Sequence, residues 1–165
     1  MLILGIDPGL ATAGYALVEK EGNKFSCREY GTLRTPSDMC DADRLDKLYQ
    51  KLINLIEDHN PDEMAVEELF FNKNVKTAIR VGQARGVLIL AGARAGLEVA
   101  EYTPLQVKQA VVGYGRARKK QVQQMVKTLL KLPELPVPDD AADALAVSIC
   151  HGNSCVAREK WGDVL

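Results

Sequence analysis

Cysteine and aromatic residues are both scarce in this 165-residue chain: four Cys, and 5% Phe, Trp and Tyr together. Cys27, Cys40, Cys150 and Cys155 are spaced 13, 110 and 5 residues apart. That spacing matches neither a dense disulfide framework nor a CxxC zinc ribbon. We read all four as reduced thiols, with Cys150 buried on a helix; Cys150, His151 and Cys155 together fall one ligand short of a closed zinc site. Long hydrophobic runs are lacking too. The longest, Val87-Leu88-Ile89-Leu90-Ala91, is far below the roughly 20 apolar residues that cross a bilayer. Residues 1–5 carry no charged leader and Asp7 follows, so no signal peptide is expected and the chain reads as cytoplasmic, with no membrane partner. Seven Pro and 13 Gly follow no period, and 47% of residues are hydrophobic, which excludes collagen-like and disordered chains. What remains is one domain able to bury its own core.

An excess of one charge is also missing, since the net charge is −1, but the charges are unevenly placed. Residues 36–68 hold ten acids against three bases, net −7. Residues 72–96 hold five bases (Lys73, Lys76, Arg80, Arg85, Arg94) and no acid. Residues 104–131 hold seven more (Lys108, Arg116, Arg118, Lys119, Lys120, Lys127, Lys131), again with no acid. Solvated helix faces usually mix signs, so acid-free stretches suggest a surface that meets phosphate.

The hydrophobic pattern alternates between strand and helix periods. Strands are expected at 2–7, 14–19 and 24–33, joined by short turns into an antiparallel meander. An amphipathic helix follows over 41–59, with Asp38 or Asp41 available as its cap. A short strand at 64–66 precedes a small-residue helix at 76–95, a strand at 97–102 and a short helix to 112. Residues 113–115 read as a flexible connector, 118–131 as a helix, 133–138 as an extended Pro-rich segment and 139–150 as the last helix. Such an order gives an α/β fold: a mixed five-stranded sheet of three antiparallel and two further parallel strands, with helices on both faces. The crossover through 41–59 places the fourth strand parallel to the first, so their ends lie side by side.

Carboxylates stand at those ends. Asp7 closes the first strand, Glu67 or Glu68 the fourth, and Asp139, Asp140 and Asp143 open the last helix, the last two on one face. Each has an ordinary structural reading: a turn residue, a solvated strand end, or acids that complement a helix N-terminus. Brought together they repel strongly unless cations lie among them, and oxygen-only donors suit Mg²⁺ or Mn²⁺ better than zinc. Two such ions about 4 Å apart can activate water and stabilise a leaving oxygen in phosphodiester hydrolysis.

Six blocks in order resemble the RuvC family of Holliday-junction resolvases: Gly5-Ile6-Asp7-Pro8-Gly9, the stretch from Val66-Glu67-Glu68 to Asn74, Gly82-Gln83-Ala84-Arg85-Gly86-Val87, Tyr102-Thr103-Pro104-Leu105-Gln106-Val107-Lys108, Gln121-Val122-Gln123-Gln124-Met125-Val126, and Asp140-Ala141-Ala142-Asp143-Ala144-Leu145-Ala146. The resemblance covers residues 1–152 as one domain and leaves 153–165 as a tail. It implies a ribonuclease-H-like fold and a homodimer that nicks a four-way DNA junction symmetrically in recombination and repair. Two Mg²⁺ ions per subunit, with Mn²⁺ as a substitute, would serve hydrolysis to 5′-phosphate and 3′-hydroxyl ends. The match puts the metal-binding acids at Asp7, Glu67, Asp140 and Asp143, selecting Glu67 over Glu68 and Asp140 over Asp139. It also matches Phe70 to an aromatic that stacks on junction bases, and Lys108 and Lys119 to basic residues near the scissile phosphate. Association with a RuvAB branch-migration motor follows from the family alone.

Residues 113–120 are richer in Arg and Lys than the family pattern. We count Lys73, Lys76, Arg80, Arg116, Arg118 and Lys120 as further DNA-binding residues. Phe70 sits in a polar loop beside cations, as stacking platforms do, while Phe71 is expected to turn into the core. Close helix approach through Gly82, Gly86, Ala84 and Ala93 is a candidate subunit contact. The rival readings are a non-catalytic branched-DNA architectural protein, a nuclease for another branched nucleic acid, and an ATP-handling relative, which lacks its second glycine-rich loop.

Overall fold

The computed structural model describes residues 1–69 and 75–161, without the side chains of residues 75, 76 and 155–161. Ten elements follow one another: β1 (Leu2–Asp7), β2 (Thr12–Glu21), β3 (Lys24–Arg34), α1 (Asp41–His59), β4 (Glu63–Glu67), α2 (Val75–Arg94), β5 (Glu98–Tyr102), α3 (Pro104–Val112), α4 (Lys119–Leu129) and α5 (Asp139–Trp161). The strands form one sheet in the order β3-β2-β1-β4-β5. The first three are antiparallel, while β4 runs parallel to β1 and β5 parallel to β4. Among the described residues, no helix is long and apolar enough to cross a membrane.

β1 is the central strand, and its apolar run is buried on both faces. Successive side chains of a strand point to opposite faces. Leu2, Leu4 and Ile6 therefore meet α1 and α2 through Leu48, Leu52, Ile56, Ala84, Leu88 and Ala91. Ile3 lies in the other layer, with Ala16, Ala65, Ala100 and the buried faces of α3, α4 and α5. By the same alternation Gly5 and Asp7 of β1, and Ala65 and Glu67 of β4, belong to the α5 face.

Helix α5 comes unusually near the sheet because glycines face it. A Cβ on Gly5 would run into Ser148 Oγ and the Ala144 carbonyl, and one on Gly14 into the Asp140 carbonyl. Gly14 pairs with Asp7 across the β1–β2 ladder. The bare backbone at Gly14 thus lets the first turn of α5 settle beside the end of β1.

Three local expectations change. The N-cap of α1 is Cys40, with no side-chain cap bond, rather than Asp38 or Asp41. Asp41 lies inside the first turn, where a carboxylate complements the helix dipole, and pairs with Arg80 at 2.8 Å. Helix α5 also continues to Trp161 through part of the expected tail. Gly152, a poor helix former, is retained there because its backbone packs on Phe25 and Ile3. Finally, Ala84 faces inward with Leu88 and Ala91, whereas Gly86 has nothing within 4 Å and so lies on the opposite side of α2.

Replacing Gly5 by Ala is expected to lower unfolding stability by roughly 1–3 kcal/mol, because the methyl group forces α5 away from the sheet. A urea unfolding midpoint unchanged from wild type would refute the close approach.

Candidate active site

Asp7 and Glu67 end neighbouring parallel strands, one step beyond the paired Ile6 and Val66. Asp140 and Asp143 reach the same end of the sheet from the first turns of α5. Their electrostatics record the proximity. Burial, and then the charges of Glu67, Asp143 and Asp140, push the Asp7 carboxyl up from 3.8 to about 8. Burial, and then Asp143, push Glu67 from 4.5 to about 7, against the opposing influence of Lys119 and Lys108. Burial likewise raises Asp143, although Lys119 opposes it. Glu68 lies beyond β4, where its N–H donates to the Tyr102 carbonyl at 2.8 Å.

Lys119, at the start of α4, supplies the positive charge within this group. Its Nζ lies 2.8 Å from Asp143 Oδ2 and 3.3 Å from Asp139 Oδ2. Burial opposes the ammonium charge, but these two carboxylates outweigh it and raise its pKa. Asp139 is itself held by a 2.9 Å bond from Gln123 Nε2. Nothing in the sequence spacing pointed to Gln123, whose contribution depends on how α4 packs beside α5.

Glu67, Lys108, Lys119 and Asp143 line an open cleft of about 170 Å³, with Pro104, Val107, Val122 and Ala146 as its apolar walls. As the side chains stand, no three His, Cys, Asp or Glu groups among the described residues close around a single ion; the Lys119 ammonium takes a place against Asp143. The donor set still fits hard divalent cations. It consists of carboxylate oxygens, and Asp7 and Glu67 are driven towards the neutral acid by burial and then by neighbouring carboxylate charge, both of which a bound cation would offset.

The other candidate residues divide. Arg116 and Arg118 are exposed on the loop that leads to Lys119, and Lys120 is exposed just after it in α4. Arg80 pairs with Asp41, and Arg85 with Glu101, within the chain. Phe70, Phe71 and Lys73 lie outside the described residues, as does the Lys76 side chain. His151 is engaged at both ring nitrogens, with Tyr102 Oη at 2.9 Å and Glu63 Oε2 at 2.6 Å, so it is not a free zinc ligand. Burial pushes the Cys150 thiol up to about 12 and the Cys27 thiol to about 11.

The chain matches the family described as "Crossover junction endodeoxyribonuclease RuvC" over residues 3–151. A protein of that name from Halothermothrix orenii is 64% identical over 162 residues, covering 98% of both chains. The solved structure of Thermus thermophilus RuvC is 34% identical, with a TM-score of 0.88 over 95% of this chain and 96% of that one. A second structure, of the Thermus thermophilus protein in complex with Holliday junction substrate, is 32% identical and superposes with a TM-score of 0.87 over the same shares.

A carboxyl whose pKa is raised by folding costs stability once the unfolded chain can ionise it. Asp7 and Glu67 therefore favour the folded state fully below their ordinary values of 3.8 and 4.5, and this contribution is lost as pH rises from there through about 8 for Asp7 and about 7 for Glu67. In EDTA, Asp7→Asn should be more stable than wild type at pH 8, by about 2–5 kcal/mol, with a smaller difference at pH 5. Parallel urea titrations across that range measure it; coincident curves would refute the burial of Asp7 among like charges.

Proposed function

The chain belongs to the RuvC family of crossover junction endodeoxyribonucleases, and from that membership and its carboxylate cluster we propose that it resolves four-way DNA junctions by hydrolysing a phosphodiester at Asp7, Glu67, Asp140 and Asp143. The single observation that carries the site assignment is the meeting of Asp7 and Glu67, at the ends of neighbouring strands, with the α5 acids, whose charges act on the Asp7 carboxyl. Asp7 and Glu67 offer oxygens from the strand ends, and Asp140 and Asp143 from α5. Together they would hold two Mg²⁺ ions, or Mn²⁺ in their place. When bound, such cations polarise the phosphoryl group, acidify the attacking water and stabilise the departing oxygen. Cleavage on the 3′-oxygen side leaves a 5′-phosphate and a 3′-hydroxyl.

The surrounding side chains position the substrate. The Lys108 and Lys119 ammonium groups face the cleft from two helices and would draw a phosphate into it, offsetting charge that grows on its oxygens. Lys119 already has a second carboxylate in Asp139, so it can shift its weight from Asp143 without losing every partner. Arg116, Arg118 and Lys120 extend this positive surface outwards and supply sequence-independent affinity for the DNA backbone. Phe70, three residues beyond Glu67, retains its proposed stacking role.

The subunit contact fits the outer face of α2. Ile79 is 57% exposed, Leu90 51% exposed, and a Cβ on Gly86 would meet nothing within 4 Å. An apolar helix face with a bare backbone between two large side chains suits a second copy of the same helix. A twofold dimer would also carry one carboxylate cluster to each of two equivalent strands of the junction.

Asp7→Asn should cut a mobile four-way junction at least about a hundredfold more slowly than wild type in Mg²⁺, yet bind it comparably. Denaturing gels of labelled junction and linear duplex, with and without Mg²⁺, provide the comparison; cleavage at the wild-type rate would overturn the assignment. Gly86→Leu should shift a dimer towards monomer in size-exclusion at low concentration, and an unchanged elution volume would exclude this face.

A further inference from the structure

Tyr114 lies in a segment that reads from sequence as a flexible connector between α3 and α4, but its side chain is tethered. Its hydroxyl accepts a 2.8 Å hydrogen bond from Gln121 Nε2. The same Gln121 side chain accepts, through Oε1, a 2.8 Å bond from the Arg118 N–H at the start of α4. One glutamine thus caps the helix and braces the tyrosine. Gly113 allows the chain to turn out of α3 at φ 89°, a conformation that side chains disfavour.

The braced ring remains open to solvent, with Tyr114 46% exposed. Leu105 packs on the next residue: a Cβ on Gly115 would run into its side chain, and Leu105 is itself 60% exposed. On α3, Leu105 stands one turn before Lys108, which lines the cleft. Arg116 and Arg118 are exposed immediately along the chain. The result is an apolar shelf at the shoulder of the carboxylate cleft, bordered by cations.

Resting on the junction reading above, we infer that Tyr114 is a base-stacking platform, with Leu105 beside it, for a nucleobase near the scissile phosphate. The occupant follows from the neighbours. A protein partner or the chain's own core would have little use for an exposed aromatic followed in the chain by the exposed Arg116 and Arg118, whereas single-stranded or unstacked DNA brings a π-face and a phosphate together. Tethering the ring by its hydroxyl reduces the freedom lost on stacking.

The test is binding of a fluorescein-labelled mobile junction in EDTA, by anisotropy at several salt concentrations, for wild type, Tyr114→Phe and Tyr114→Leu. Tyr114→Phe keeps the ring and should bind within about threefold of wild type. Tyr114→Leu keeps apolar bulk but loses the π-face and should bind about tenfold more weakly, with an unchanged salt slope because no cation is lost. In a second measurement, 2-aminopurine is placed in turn at nucleotides around the crossover. At one or more positions it should be quenched by wild type and Tyr114→Phe but not by Tyr114→Leu. Wild-type affinity for Tyr114→Leu, or the absence of any such position, overturns the inference while leaving the junction reading intact. A wild-type protein that binds junction no better than linear duplex overturns both.

Discussion

Helix α5 can carry Asp140 and Asp143 to Asp7 only because Gly5 and Gly14 present no side chain to it. A Cβ at either position would collide with the α5 backbone, and a displaced helix would leave the strand-end acids facing water alone. Close packing between a glycine floor and an alanine-rich helix, through Ala141, Ala142 and Ala144, therefore creates the electrostatic problem at the end of the sheet. Buried carboxylates that approach one another resist ionisation, and Asp7 and Glu67 move to about 8 and about 7. Lys119 partly relieves that repulsion. Divalent cations would relieve it further and turn a destabilising cluster into a catalytic one.

The two basic stretches of the chain have different fates. In α2, Arg80 and Arg85 form ion pairs with Asp41 and Glu101, and exposed apolar residues occupy the outer face of that helix. Between α3 and α4, Lys108 and Lys119 face the cleft while Arg116, Arg118 and Lys120 stay open to solvent. Among the described residues, the cations that line the carboxylate cleft come from the α3–α4 side, where Tyr114 also stands.

Much of the fold was legible because strongly periodic segments leave little choice. The apolar runs of β1 and β4 and the helical spacing of the apolar residues in α1 placed these elements to within a residue or two. Local chemistry misled where packing outweighed it. Asp38 was an attractive cap for α1, yet Cys40 holds the N-cap position and Asp41 is drawn to Arg80 from another helix. The last helix was expected to end at residue 150, but α5 runs on past Gly152, whose backbone packs on Phe25 and Ile3. Gly82, Ala84 and Gly86 looked like one small-residue face, although residues two apart on a helix point in nearly opposite directions, and Ala84 is the one buried.

The sequence alone determined the residue types: oxygen donors at strand and helix ends, acid-free basic stretches, and six ordered blocks that resemble one family. The resemblance, not the spacing, selected Glu67 over Glu68; the register that pairs Ile6 with Val66 then sets Glu67 beside Asp7. Only the tertiary structure decided which acids feel one another, that Lys119 is shared between Asp143 and Asp139, and that Gln121 braces Tyr114. These facts depend on distances between segments remote in the chain. Such distances are set by how closely helices pack on the sheet, which residue spacing does not encode.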